Sequence, residues 1–239
     1  FNWDVEPYAH DRDRAVINSL NQIGIEVKTF WDQLLHSPEE IQSGSGSPYT
    51  VYSPFWKNWS SKPKAEPAPD LEQAEGLTET EIETATQTGT IALPTAKELG
   101  YVWNNPLMLD PGEAAAQERL EEFCSAAIAQ YQEQRNYPAQ PGTSLLSAAL
   151  KFGVIGIRKV WAATVEVAEQ SRSDEAQENI RVWRQELAWR EFYQHALYFF
   201  PELAEGSYRK VMQTFPWENN DRYFQAWCEG RTGYPIVDA

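Results

Sequence analysis

The sequence predicts a mainly α-helical fold, preceded by the tail of an α/β unit and a long connector. Three observations predict it. Residues 173–200 contain no Gly or Pro and read as one long helix. From Gly112 onward helical patterns dominate, with runs at about 113–134, 144–152, 155–170, 173–200, 207–214 and 218–229. Only Ile25–Phe30 alternates as a strand does.

Residues 10–23 predict an amphipathic helix. Asp11 and Asp13 stand near its start, Val16, Ile17, Leu20 and Ile23 supply an apolar face, and Gly24 closes it. Helix 10–23 followed by strand 25–30 is the ending of an α/β unit. One such unit is too little for a domain. With the start at Phe1-Asn2-Trp3-Asp4, without Met, it predicts that the sequence is an internal piece of a longer protein.

Residues 37–112 change character. Ser43-Gly44-Ser45-Gly46-Ser47-Pro48 is turn-forming, and Pro63, Pro67 and Pro69 punctuate an acidic tract that runs to about Thr90. This reads as a surface connector, pinned to a domain by the aromatic stretch Tyr49–Trp59. In the last region, Gly142-Thr143-Ser144 before an apolar run reads as a helix N-cap.

At 239 residues and 42% hydrophobic the chain can bury a core. No apolar run reaches the roughly 18 residues of a membrane span. Cys124 and Cys228 lack metal-ligand spacing and read as free thiols of a reducing cytoplasm. His10, His36 and His195 do not cluster, so neither a metal motif nor a nucleophilic triad is present in the spacing.

The net charge of −15 argues against nucleic acid at first sight. Its distribution softens that. Residues 61–122 carry 4 basic and 13 acidic side chains, whereas residues 123–239 carry 12 and 14. A local basic groove built from Arg135, Lys151, Arg158, Lys159, Arg190, Arg209 and Lys210 is therefore one expectation. Scattered solvated charges are the other.

The most informative stretch is Trp183–Tyr193. At about 100° per residue, Trp183, Glu186, Trp189, Arg190 and Tyr193 share roughly one third of the helix circumference. Such a face stacks flat rings and hydrogen-bonds their edges, as a flavin or a nucleobase requires. The plainer expectations are core packing for Trp189 and an i,i+4 ion pair of Arg190 with Glu186.

Five segments, in order, carry a family resemblance: YTVYSPFWKNW (49–59), QRNYPAQPGTSLLS (134–147), WRQELAWREFYQHALYFFP (183–201), FPWENN (215–220) and GRTGYPIVDA (230–239). The chain resembles the DNA photolyase/cryptochrome family, most of all the class I cyclobutane pyrimidine dimer photolyases of cyanobacterial type. The resemblance implies that residues 1–36 are the C-terminal part of a Rossmann-like antenna domain. Residues 37–112 are then the interdomain connector, and 113–239 the first part of a helical FAD-binding domain. It implies that Tyr131, Thr143, Ser144, Leu145, Leu146, Ser147, Trp183, Glu186, Arg190 and Tyr193 hold FAD. Where the family usually has Pro after this serine loop, the chain has Ala148.

By the same resemblance, Trp189 stacks on a flipped-out dimer, Glu186 hydrogen-bonds its base edges and Arg135 contacts DNA. Trp217 is the surface end of an electron relay. Asp4 and Lys151 contact a second chromophore. Tyr8-Ala9 stands where the folate type has Asn-Glu, which favours 8-hydroxy-5-deazaflavin over methenyltetrahydrofolate. The implied activity is a light-driven carbon–carbon lyase that repairs ultraviolet-damaged DNA by electron transfer from reduced FAD. The implied protein is a cytoplasmic monomer without membrane contact. With half the pocket, residues 1–239 alone are expected to be inactive. The alternatives are a cryptochrome-like photoreceptor, a lyase for the other ultraviolet photoproduct, and an inert FAD-binding relic.

Overall fold

The computed structural model describes residues 1–69, 78–87, 89, 93–102, 104 and 107–238. Its regular elements are helices: α1 (Pro7–Gln22), α2 (Tyr52–Ser61), α3 (Glu79–Gln87), α4 (Glu113–Ser125), α5 (Tyr131–Gln134), α6 (Ser147–Phe152), α7 (Ile157–Gln170), α8 (Asp174–Phe199), α9 (Lys210–Gln213), α10 (Asp221–Cys228) and α11 (Pro235–Asp238). Parts of the acidic tract, at 70–77, 88 and 90, lie outside the described residues.

Helix α8 organises the molecule. Ser173 caps it by accepting a hydrogen bond from the Ala176 amide at 3.3 Å, with Asp174 and Glu175 in the positive first turn. It stops at Phe200, the residue before Pro201, where a proline disfavours helical backbone. Its Ile180, Trp183, Leu187, Ala188 and Phe192 form one apolar cluster with Phe55 and Trp59 of α2, Leu120 and Phe123 of α4, and Val160 of α7. Phe55 and Trp59 are four residues apart, hence on one face of α2, and are 1% and 0% exposed. The aromatic stretch 49–59 is thus built into the core rather than laid over it.

Five expectations are corrected. Ile25–Phe30 forms no strand, because only Phe30 makes a bridge to a neighbouring segment. A single parallel bridge joins it to Asn2, through Trp3 N–H to Phe30 O at 2.8 Å and Phe30 N–H to Phe1 O at 3.1 Å. Helix α1 starts at Pro7, which suits a first turn because its missing N–H needs no partner there. The expected apolar face of α1 is not buried: Ala9 and Asp13 are, while Val16 and Ile23 are exposed. No sheet lies beneath it among the described residues.

The helix expected over 113–134 is three pieces. It breaks at Ala126 (φ −146°, ψ −63°), and a 3-10 turn, Ala127–Gln130, leads into α5. The turn lets Phe123, Ile128 and Tyr131 all enter the core, which one straight helix would not do. The helix expected over 144–152 begins only at Ser147, so Thr143 and Ser144 do not cap it.

Candidate functional site

A cleft of about 580 Å³ lies against α8, within the roughly 300–1,000 Å³ of small-molecule sites. Trp183, Glu186, Leu187, Arg190, Tyr193, Gln194 and Leu197 of α8 line it at helical spacing. Facing them are Tyr131 from α5, then Thr143, Ser144 and Leu146 from the loop before α6, and Ser147, Leu150 and Lys151 from α6 itself. Asp4, Val5, Glu6 and Gln33 complete the wall. Residues expected to hold a flavin and residues expected to hold an antenna thus share one cleft.

The 141–146 loop follows from two backbone features. A Cβ on Gly142 would collide with Gln134, so only glycine allows the loop this close to α5. Leu145 then adopts φ +52°, the left-handed region. The Leu145 side chain lines a neighbouring cavity with Arg119, Phe123 and Gln130 instead of the cleft. Thr143 and Ser144, released from capping, line the cleft.

Charged groups around the cleft are engaged. Glu186 pairs with Arg135 at 2.5 Å, not with Arg190 as the i,i+4 expectation had it. Arg190 Nη1 instead donates to the Gln33 carbonyl at 2.6 Å, and burial lowers its pKa. Lys151 pairs with Glu6 at 3.1 Å and Arg158 with Asp32 at 3.4 Å. The Arg135 guanidinium also lies 5.4 Å from the Tyr131 ring centre. Among the seven basic candidates, Arg135, Lys151, Arg158 and Arg190 thus already have partners, three of them carboxylates.

Trp189 does not line the cleft. Its ring stacks 3.5 Å from Tyr52 and 5.7 Å from the cleft residue Tyr193. Trp217 stands at the surface, 69% exposed, beside Phe215.

Sequence reasoning missed Glu191. This carboxylate is buried and accepts from the Leu35 amide, from the His36 amide at 3.4 Å and from Trp59 Nε1 at 2.7 Å. Desolvation pushes its pKa up to about 7 against the pull of those donors. Arg190 and Glu191 thus grip the 33–36 loop at two successive residues. The signal was available: Glu191 follows Leu187 by four residues, which places an acid on the buried stripe.

A family model described as the FAD binding domain of DNA photolyase matches residues 183–239. A second, described as DNA photolyase, matches residues 1–73. The chain belongs to the DNA photolyase family. It is 54% identical, over its whole length, to a deoxyribodipyrimidine photo-lyase of Synechococcus sp., of which it covers 49%. The structure of a class III photolyase from Agrobacterium tumefaciens superposes with a TM-score of 0.77 at 34% identity, over 99% of this chain and 48% of that one. A Synechocystis sp. cryptochrome superposes with the same TM-score at 20% identity, over 99% of this chain and 49% of that one, which shows a shared fold. This photolyase-family chain spans about half the length of the curated relatives it matches.

The cleft suits the cofactor that the family model names. Leu146, Leu150, Leu187 and Trp183 give an apolar floor, and Thr143, Ser144 and Ser147 give hydroxyl donors. Gln194 Oε1, in the cleft wall, is buried without a partner and can accept from a ring N–H. Among the described residues no group of three or more His, Cys, Asp or Glu could hold a metal ion, and no helix is long and apolar enough to cross a membrane.

Proposed function

We propose that the protein containing this chain is a light-driven lyase that repairs cyclobutane pyrimidine dimers in DNA. The carrying observation is the cleft itself: Trp183, Glu186, Arg190 and Tyr193 of α8 meet Thr143, Ser144 and Ser147 around one cavity. Bound and reduced, FAD supplies light-driven electron chemistry that no side chain offers.

The chain's own residues bind and orient. The 143–147 hydroxyls hold the phosphates, with Tyr131 behind them, and Trp183 and Tyr193 flank the rings. Trp189 stacks on the flipped-out dimer and Glu186 accepts from its base edges. Unstacking costs a few kcal/mol, least for a damaged pair, and aromatic stacking returns roughly 1–3 kcal/mol per base. Arg135 supplies phosphate contact without sequence reading. Trp217 is the outer end of the relay that reduces the flavin. Asp4 and Lys151 serve a second chromophore, 8-hydroxy-5-deazaflavin. The protein acts as a monomer in the cytoplasm.

The test uses the full-length, flavin-loaded polypeptide and dimer-containing DNA, in blue light and in the dark, beside Trp189→Ala. Light-dependent repair that weakens in the variant supports the reading. No repair by reduced, flavin-loaded protein overturns it and leaves the photoreceptor or the other lesion.

A further inference from the structure

The tightest ring contact in the described chain joins Trp189 to Tyr52, a residue of α2 that the cleft does not include. The two rings lie 3.5 Å apart between centres and 6° from parallel. Tyr52 is itself fixed. It precedes Phe55 by three residues, on the face that anchors α2 to α8. Its hydroxyl donates to the Gln185 carbonyl at 3.0 Å. By helix geometry that carbonyl also accepts from the Trp189 amide, so Tyr52 holds backbone and ring of one residue at once. Phe192 packs edge-on against both rings, at 5.8 and 5.6 Å. Burial raises the Tyr52 phenol, which keeps it a neutral donor.

One face of the Trp189 indole is therefore covered before any base arrives. We propose that Tyr52 is a positioning residue for lesion recognition, holding the Trp189 ring, which Tyr193 also flanks at 5.7 Å, in a preset orientation for a flipped-out pyrimidine. A ring held in place loses less freedom on binding. The proposal rests on the reading of Trp189 given above.

The experiment is equilibrium binding by the full-length, flavin-loaded protein to a dimer-containing duplex and to the same duplex undamaged. Tyr52→Phe keeps the stack and is expected to bind as wild type does. Tyr52→Leu removes it and is expected to bind the dimer duplex about three- to tenfold more weakly, the range of an aromatic pair. Flavin content and affinity for undamaged DNA stay unchanged. Tyr52→Met, which fills the space without a flat ring, gives the same comparison if the leucine variant does not accumulate. Trp189→Ala is measured alongside. If it loses discrimination while Tyr52→Leu and Tyr52→Met keep it, the positioning role is overturned and the lyase reading stands. If Trp189→Ala keeps discrimination, the reading of Trp189 fails and the proposal with it. Parallel loss of flavin or of undamaged-DNA affinity in Tyr52→Leu marks a scaffold role and also overturns the proposal.

Discussion

The Arg135 guanidinium and the Glu186 carboxylate form an ion pair 2.5 Å long beside the cleft, joining residues 51 positions apart. Their side chains are 38% and 39% exposed. A pair in that much water contributes about 0–1 kcal/mol to stability. Its consequence is in charge placement: the carboxylate expected at the lesion and the cation expected at the DNA backbone are held together before either has a partner. Arg135→Ala should leave unfolding free energy within about 1 kcal/mol of wild type. It should weaken binding to damaged and undamaged DNA alike and lower the salt dependence by about one phosphate contact. Binding titrations across a salt series check this.

Thr143 and Ser144 line the cleft without capping α6. Thr143→Ala and Ser144→Ala should therefore leave the melting temperature of the flavin-free protein unchanged. Each should weaken FAD retention by about tenfold, the value of one hydrogen bond to a charged group. Flavin absorbance after dialysis of the full-length variants measures it.

Glu191 combines a structural and a titration effect. Glu191→Gln leaves one acceptor for the Leu35, His36 and Trp59 donors and should destabilise by about 2–4 kcal/mol, the cost of orphaned buried groups. Its pKa is raised from 4.5 to about 7. A raised acid contributes stability below its unfolded pKa and loses it as pH rises through the folded one. The gap between wild type and Glu191→Gln should thus narrow from pH 4.5 towards 7 and above. Urea unfolding at pH 5 and pH 8 gives the two values.

His36 and His195 act in the opposite sense. Burial lowers each from 6.5 to about 4. Their contribution is present above pH 6.5 and is lost as pH falls through 4. His195 accepts from the Tyr49 amide through Nε2 at 3.3 Å, so protonation there also breaks a tie between α8 and the segment before α2. His195→Gln should flatten the acid limb of the stability profile between pH 6.5 and 4, read by urea melts across that range.

Much of this was legible from period and caps. Helix α8 was expected over 173–200 and spans Asp174–Phe199, because Ser173, two acids and Pro201 mark its ends locally. Its cleft face was legible because spacing alone places Trp183, Glu186, Arg190 and Tyr193 together. What escaped depends on distant partners. Nothing in Ser125-Ala126-Ala127 breaks a helix; the break at Ala126 brings Ile128, five residues after Phe123 and so off its face in a straight helix, into the same core. The strand expected at 25–30 has the right alternation, but only its last residue, Phe30, bridges to a neighbour, Asn2. Trp189 has the spacing of a cleft residue, but its immediate surroundings are set by Tyr52, 137 positions earlier, and no local pattern points there.

Helix α8 presents the cleft with one set of residues and grips the 33–36 loop and α2 with the set beside it. Both sets are counted along the same spiral. Inserting or deleting a single residue near Arg190 would turn everything downstream by about 100°. That would withdraw Tyr193 and Gln194 from the cleft and Glu191 or His195 from the core in one event. Side chains along this helix can be exchanged one at a time, but its length cannot drift: a relative that has changed its ligand should still show the same residue count between the Ser173 cap and Pro201.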